Sequence, residues 1–112
     1  MSGITTHVLD TSLGKPAASV SVSLAVLKDG AFVELGHGVT DQDGRLERLL
    51  GNNALTAGLY RLRFETGAHY RANGRQAFYE RVELQFHVND PNQHYHVPLL
   101  LSPFGYSTYR GS

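Results

Sequence analysis

Apolar and polar residues alternate in several short segments, and this period of two constrains the fold more than any other feature of the chain. In the segment 19–28 the apolar residues fall at every second position: Val20, Val22, Leu24 and Val26. Side chains two apart on a strand point to the same side of a sheet, so one side of this segment is expected to be buried. The same pattern recurs at residues 59–64 and 81–88.

Turn residues separate these segments at intervals of roughly ten residues. Asp29-Gly30 predicts a hairpin that returns residues 31–40 antiparallel to 19–28. Residues 41–44, Asp-Gln-Asp-Gly, predict the next turn, and residues 89–92 predict another. With a further β-prone segment at 4–10, about seven or eight short strands are expected, which indicates an antiparallel β-sandwich.

One segment departs from the alternation. Between Glu65 and Gly74 the sequence is typical of a short helix. Thr66 is the expected N-cap, because a threonine hydroxyl can accept a hydrogen bond from a free backbone N–H of the first turn. Gly74 is expected to end the helix.

Length and charge exclude several classes of protein. The 112 residues fit one domain, expected over residues 1–112. Ten Lys and Arg balance ten Asp and Glu, and the basic residues are scattered, so no nucleic-acid partner is expected. The longest apolar run, 97–101, is too short to cross a membrane. Strand-like sequence follows Met1-Ser2-Gly3 directly, which leaves no room for a signal peptide, so a cytoplasmic protein is expected.

Histidines are the residues best suited to chemistry, since the chain has six of them and no cysteine. His94 and His96 are two apart and should share one side of a strand, where they could bind zinc if His7 supplied a third ligand. No acidic residue lies beside the pair, so the metal signal is weak. The histidines at 37, 69 and 87 are interpreted as ordinary structural or surface residues.

Three motifs together carry a resemblance. They are the segment 6–17, which begins Thr-His-Val-Leu-Asp, the Asp-Gly-Arg turn at 43–45, and the ending 95–112, which closes on Tyr-Arg-Gly-Ser. The chain resembles the 5-hydroxyisourate hydrolase family, the transthyretin-related enzymes of urate breakdown. The likeness spans the whole chain, and the terminal tetrapeptide is its most specific part.

The resemblance implies a fold and an assembly. The fold would be a transthyretin-like β-sandwich of two four-stranded sheets with one short helix. The assembly would be a homotetramer of two dimers that pack face to face. The last strand, 104–110, would form an exposed edge, and an exposed edge is available for pairing.

The resemblance also implies a reaction and its residues. The substrate would be 5-hydroxyisourate, whose cyclic amide is opened by water without a metal or another cofactor. His7 and His96 would be the two active-site histidines; either could be the general base, while the other positions substrate or donates a proton. Arg45 would hold the anionic ring and stabilise the oxyanion. Tyr109 and Ser112 would line the substrate pocket, and Ser112 could act through its hydroxyl or its terminal carboxylate.

Ser112 is not expected to form an acyl-enzyme, because no Gly-x-Ser-x-Gly elbow occurs in the chain. Two other functions stay open. A transthyretin-like carrier of a small aromatic ligand would share the fold, but carriers lack both histidines, the arginine and the Tyr-Arg-Gly-Ser ending. A purely structural adhesive module would be expected to continue into another domain.

Overall fold

The computed structural model describes residues 3–112. Met1 and Ser2, on which the expectation of no signal peptide partly rests, lie outside the described residues. Within 3–112, the single helix is far shorter than a membrane crossing requires.

Residues 3–112 form nine strands and one helix. In chain order these are β1 (Gly3–Asp10), β2 (Lys15–Pro16), β3 (Ser21–Lys28), β4 (Ala31–Val39), β5 (Arg45–Leu46), β6 (Gly58–Phe64), α1 (Thr66–Ala72), β7 (Val82–Val88), β8 (His94–Ser102) and β9 (Gly105–Thr108). The predicted strands at 4–10, 19–28, 31–40, 59–64 and 81–88 are all present, with ends that move by at most two residues.

The strands form two sheets. One has the order β4-β3-β6-β7, and the other has the order β2-β1-β8-β9 with the two-residue β5 also paired to β1. The two predicted four-stranded sheets are therefore confirmed, with β5 as a fifth strand in one of them. The sandwich was predicted to be antiparallel, but one pair of strands differs. Strands β1 and β8 run parallel, with Thr5 opposite His96.

The core lies between the two sheets. Alternate residues of β3 and β6 are buried there, including Leu24, Tyr60 and Leu62, as the period of two predicts. From the other sheet β8 contributes Leu99 and Leu101. Burying each such side chain stabilises the fold by about 1.5–3 kcal/mol.

The helix forms where the sequence predicts it, but its cap differs. Glu65 is the N-cap residue, and no side chain makes a capping hydrogen bond. Thr66 lies inside the helix with its hydroxyl buried, so the prediction that Thr66 caps the helix is wrong. The burial of the Thr66 side chain overrides its capping preference. Gly74 follows the last turn with φ +68°, as predicted.

Candidate active site

The outer side of β1 carries the first candidate residue. Ile4, Thr6 and Val8 face the core, which leaves Thr5 and His7 on the opposite side. The His7 Nε2–H donates to the carbonyl oxygen of Asp43 at 2.8 Å. Because a carbonyl can only accept, this bond keeps the proton on Nε2 and leaves Nδ1 as the acceptor of a neutral ring.

A tight turn places Arg45 directly opposite His7 in the β1–β5 pair. Asp41 Oδ1 accepts hydrogen bonds from the backbone N–H groups of Asp43 (2.9 Å) and Arg45 (3.0 Å). Gly44 has φ +75°, and a Cβ there would collide with the carbonyl oxygen of Val8. The turn itself thus requires Asp41 and Gly44, and it fixes where the Arg45 side chain starts.

The second histidine, His96, lies on the outer side of β8, next to Thr5 in the parallel pair. Its Nδ1 is 2.8 Å from the Thr5 hydroxyl. The backbone of Gly111 covers the Cδ2 edge of the ring, so close that a Cβ on Gly111 would come within 2.7 Å of Cδ2. With these two edges occupied, Nε2 is the ring nitrogen left for the pocket.

The surroundings of His96 favour its neutral form. Burial lowers the pKa of this histidine, and the nearby charges of Arg45, His7 and His94 lower it further, while Glu47 acts in the opposite sense. A neutral imidazole with a free Nε2 can accept a proton near neutral pH.

The terminal tetrapeptide is held against the sheet. The Gly111 N–H donates to the carbonyl oxygen of His96 at 2.7 Å. The Arg110 guanidinium stacks over the Tyr95 ring at 4.4 Å and donates to Gln93 Oε1 at 2.9 Å. Arg110 and Gly111 therefore anchor the tail, and this anchoring brings Ser112 to the pocket.

The pocket itself is shallow, with a volume of about 160 Å³. Its lining residues are Thr5, Thr6, Arg45, Glu47, His94, His96 and Ser112. Three of the residues predicted from sequence thus meet here, and His7 lies beside them opposite Arg45.

Tyr109 is placed apart from this pocket. It is 56% exposed and lines a separate groove of about 360 Å³ beside Phe86 and Arg110, at the β7 side of the sandwich. The predicted contact of Tyr109 with substrate stays a prediction.

Three lining residues, Thr5, Thr6 and Glu47, were not predicted from the sequence. The period of two places Thr5 on the same side of β1 as His7, which was the available signal. Its contact with His96 depends on the parallel β1–β8 register, which links residues about ninety positions apart and has no local sequence signature. Glu47 follows the end of β5 and carries no motif of its own.

The zinc interpretation finds no support in the side-chain geometry. Within residues 3–112, no three histidine or carboxylate side chains are arranged to hold a metal ion. His94 and His96 instead share a hydrogen bond partner, the Thr5 hydroxyl.

Known proteins resemble this chain along its whole length. The model of the HIUase/Transthyretin family matches residues 4–111. A 5-hydroxyisourate hydrolase of Halalkalibacterium halodurans is 52% identical, with all of both chains covered. The structure of the Klebsiella pneumoniae 5-hydroxyisourate hydrolase is similar with a TM-score of 0.87 and 40% identity over the whole of both chains. Sea bream transthyretin in complex with thyroxine gives a TM-score of 0.90 and 34% identity, covering 97% of this chain and 94% of that one.

Proposed function

This chain belongs to the HIUase/Transthyretin family, and we propose that it hydrolyses its substrate in the pocket between Arg45 and His96. The reaction is the hydrolysis of 5-hydroxyisourate in urate degradation. The observation that carries the proposed site is that His96, whose pKa is lowered by burial and nearby charges, lies in one pocket with Arg45 and Ser112.

In the proposed mechanism His96 is the general base. A water molecule in the pocket attacks the carbonyl carbon of the cyclic amide, and His96 Nε2 takes a proton from that water. We choose His96 over His7 because His96 lines the pocket together with Arg45 and Ser112, whereas His7 lies beside it. Such proton transfer is typically worth about a hundredfold to ten-thousandfold in rate.

Arg45 stabilises the negative charge that forms on the carbonyl oxygen. A guanidinium stays charged and offers several N–H donors in one plane, which suits an oxyanion and the ring of an anionic substrate. His7 is the cross-strand partner of Arg45 on the same side of the sheet, and it positions the substrate ring beside Arg45.

The second half of the reaction returns the proton. The C–N bond of the amide breaks, and the protonated His96 donates its Nε2 proton to the leaving nitrogen, which regenerates the neutral histidine. The oxygen of the attacking water stays in the new carboxylate, and the product is 2-oxo-4-hydroxy-4-carboxy-5-ureidoimidazoline. Ser112 lies close enough to the same pocket to hold the water in place.

The fold alone does not separate this enzyme from a carrier, because a thyroxine-bound transthyretin is equally similar in structure. The residues of the pocket favour the enzyme. A base with a lowered pKa beside an arginine is suited to acid–base chemistry.

We also propose a homotetramer of two dimers. Strand β9 is the edge of its sheet, and Tyr106 on it is 42% exposed. Phe78 and Tyr79 form an exposed aromatic cluster with Tyr106. The ring centroids of Phe78 and Tyr79 are 4.9 Å apart, and those of Tyr79 and Tyr106 are 5.7 Å apart. The pocket is shallow in one subunit, so a facing subunit would deepen it and exclude water. Sedimentation in solution tests this: four chains per particle are expected, and a monomer with full activity would refute the assembly.

We place the protein in the cytoplasm.

The function is tested by following the absorbance of 5-hydroxyisourate, generated in place from urate by uricase. The protein should accelerate its decay, while a His96→Ala variant should return the decay to nearly the spontaneous rate. His37→Ala is the matched control, since His37 lies on the other sheet with its side chain 76% exposed. A His96→Ala variant as active as the control would remove His96 from the mechanism.

A further inference from the structure

One hydroxyl group lies between two histidine rings at the edge of the pocket. Thr5 Oγ1 is 2.9 Å from His94 Nε2 and 2.8 Å from His96 Nδ1. The contact arises from the parallel register, in which Gly3 lies opposite His94 and Thr5 opposite His96. Both rings point to the outer side of β8, as their spacing of two requires.

This arrangement couples the protons of the two rings. A threonine hydroxyl has a single hydrogen, so it can donate to only one of the two nitrogens. If both hydrogen bonds form, the other nitrogen must carry a proton and donate to the hydroxyl oxygen. When His96 is neutral, two arrangements satisfy this condition and also use the hydroxyl hydrogen; a third, in which both rings donate to the oxygen, leaves that hydrogen without an acceptor among residues 3–112.

In the first arrangement Thr5 donates to His94 Nε2, and His96 donates its Nδ1–H to Thr5. The lone pair of His96 then lies on Nε2, the nitrogen that faces the pocket. In the second arrangement His94 donates to Thr5, and Thr5 donates to His96 Nδ1. The proton of His96 then lies on Nε2, and the ring cannot accept a proton from water.

We propose that His94, acting through the Thr5 hydroxyl, sets the tautomer of His96 and thereby switches the base on and off. A neutral His94 can accept from Thr5, which allows the active arrangement. A protonated His94 has only N–H donors, so it favours the second arrangement, the one in which the Thr5 hydrogen still has an acceptor. Thr5 and His94 are positioning residues, and the proposal rests on the proposed role of His96 as the base.

The two histidines differ in their surroundings. His96 is partly buried and is surrounded by His7 on β1, Arg45 on β5, Glu47 just after β5, and His94 on its own strand. His94 is exposed, and the charged group packed near it is the Arg110 guanidinium, whose Nη2 is 3.4 Å from the His94 carbonyl oxygen. A charge on His94 lowers the pKa of His96, so the two rings influence each other through charge as well as through the Thr5 hydroxyl.

The tautomer can be read directly from the ¹⁵N chemical shifts of the ring nitrogens of His96. At the pH of full activity we expect Nδ1–H and an unprotonated Nε2 in the wild type and in Thr5→Ser, which keeps the hydroxyl. In Thr5→Val, which has nearly the same shape, this preference should be lost. Its kcat should fall by about 10- to 100-fold, the size of effect found for groups that orient a working histidine, and KM should change little.

The pH profile provides an independent readout. In His94→Gln the side chain cannot become a cation, so the acid limb of kcat/KM should shift relative to that of the wild type. Thermal unfolding confirms that each variant is folded, and Thr5→Ala replaces Thr5→Val if the latter is not.

Two results would overturn the coupling. One is the same His96 tautomer in wild type and Thr5→Val, and the other is an acid limb that His94→Gln leaves in place. Failure of the proposed function would appear differently, because a wild-type protein that does not accelerate 5-hydroxyisourate decay would still report its tautomer in the ¹⁵N spectrum.

Discussion

Gly111 offers a sharp test of how the tail shapes the active site. Its backbone lies so close to His96 that an alanine Cβ would be 2.7 Å from Cδ2 and 3.4 Å from Cγ. Carbon atoms in favourable contact are about 3.5–4.0 Å apart, so the ring or the tail must move by about 1 Å. A displacement of that size at a reacting group can cost about a hundredfold in rate.

The stability cost of the same substitution is small. The tail is fixed at this point by the Gly111 N–H bond to the His96 carbonyl oxygen. Losing such a bond costs about 1 kcal/mol, which lowers Tm by about 4–8 °C in a small domain. Gly111→Ala should therefore reduce kcat/KM by about a hundredfold in a protein that remains folded.

The matched control is Gly105→Ala in β9. A Cβ at Gly105 has its nearest neighbour, the Ser102 hydroxyl, at an ordinary 3.8 Å. This variant should keep wild-type activity in the 5-hydroxyisourate absorbance assay. Equal activity in the two variants would refute the idea that Gly111 is needed for the position of the His96 ring.

Three further predictions concern the arginines and the tail. Arg45→Lys keeps the charge but loses the planar fork of donors, so kcat/KM should fall by about a hundredfold or more in the same assay. A chain trimmed of residues 109–112 should unfold cooperatively in calorimetry yet no longer accelerate the reaction, and full activity would exclude these residues from the site. Arg75→Ala leaves the buried Asp10 carboxylate without its 2.6 Å partner and should cost about 2–3 kcal/mol at pH 7 by urea unfolding. Burial alone would raise the pKa of Asp10, but hydrogen bonds from Ser12 and Arg75 lower it overall. The cost should therefore begin to shrink as the pH falls below about 4, the pKa of an unfolded aspartate, and should be lost only below the lowered pKa of Asp10 in the folded protein.

The strands could be predicted because their signal is local. Val20, Val22 and Leu24 are buried as their alternation requires, and the Asp29-Gly30 turn forms with φ +51° and +82° at its two residues. The alternation says which side of a strand is buried, but it does not say which strand lies beside it. The parallel pairing of β1 with β8 was therefore not predicted, although it determines that Thr5 meets His96.

The helix cap and the contacts of the tail could not be predicted from the sequence for a different reason. Threonine is a residue type that often caps helices. The Thr66 side chain is nevertheless buried within the fold as part of the helix, so packing overrides its local preference. The sequence shows that Gly111 belongs to the terminal motif, but it does not explain why that position is a glycine. The reason is its contact with His96, and that contact exists only in the folded sheet.

Chemical rescue shows whether an imidazole in this pocket acts as the base. Removing the ring in His96→Ala leaves a space between Thr5, Pro98 and Gly111, into which free imidazole can bind. Added imidazole should restore decay of 5-hydroxyisourate in this variant with a rate that saturates, above the effect of imidazole without protein. If imidazole accelerates the decay of 5-hydroxyisourate no more with the variant than without protein, the role of His96 as the base is contradicted.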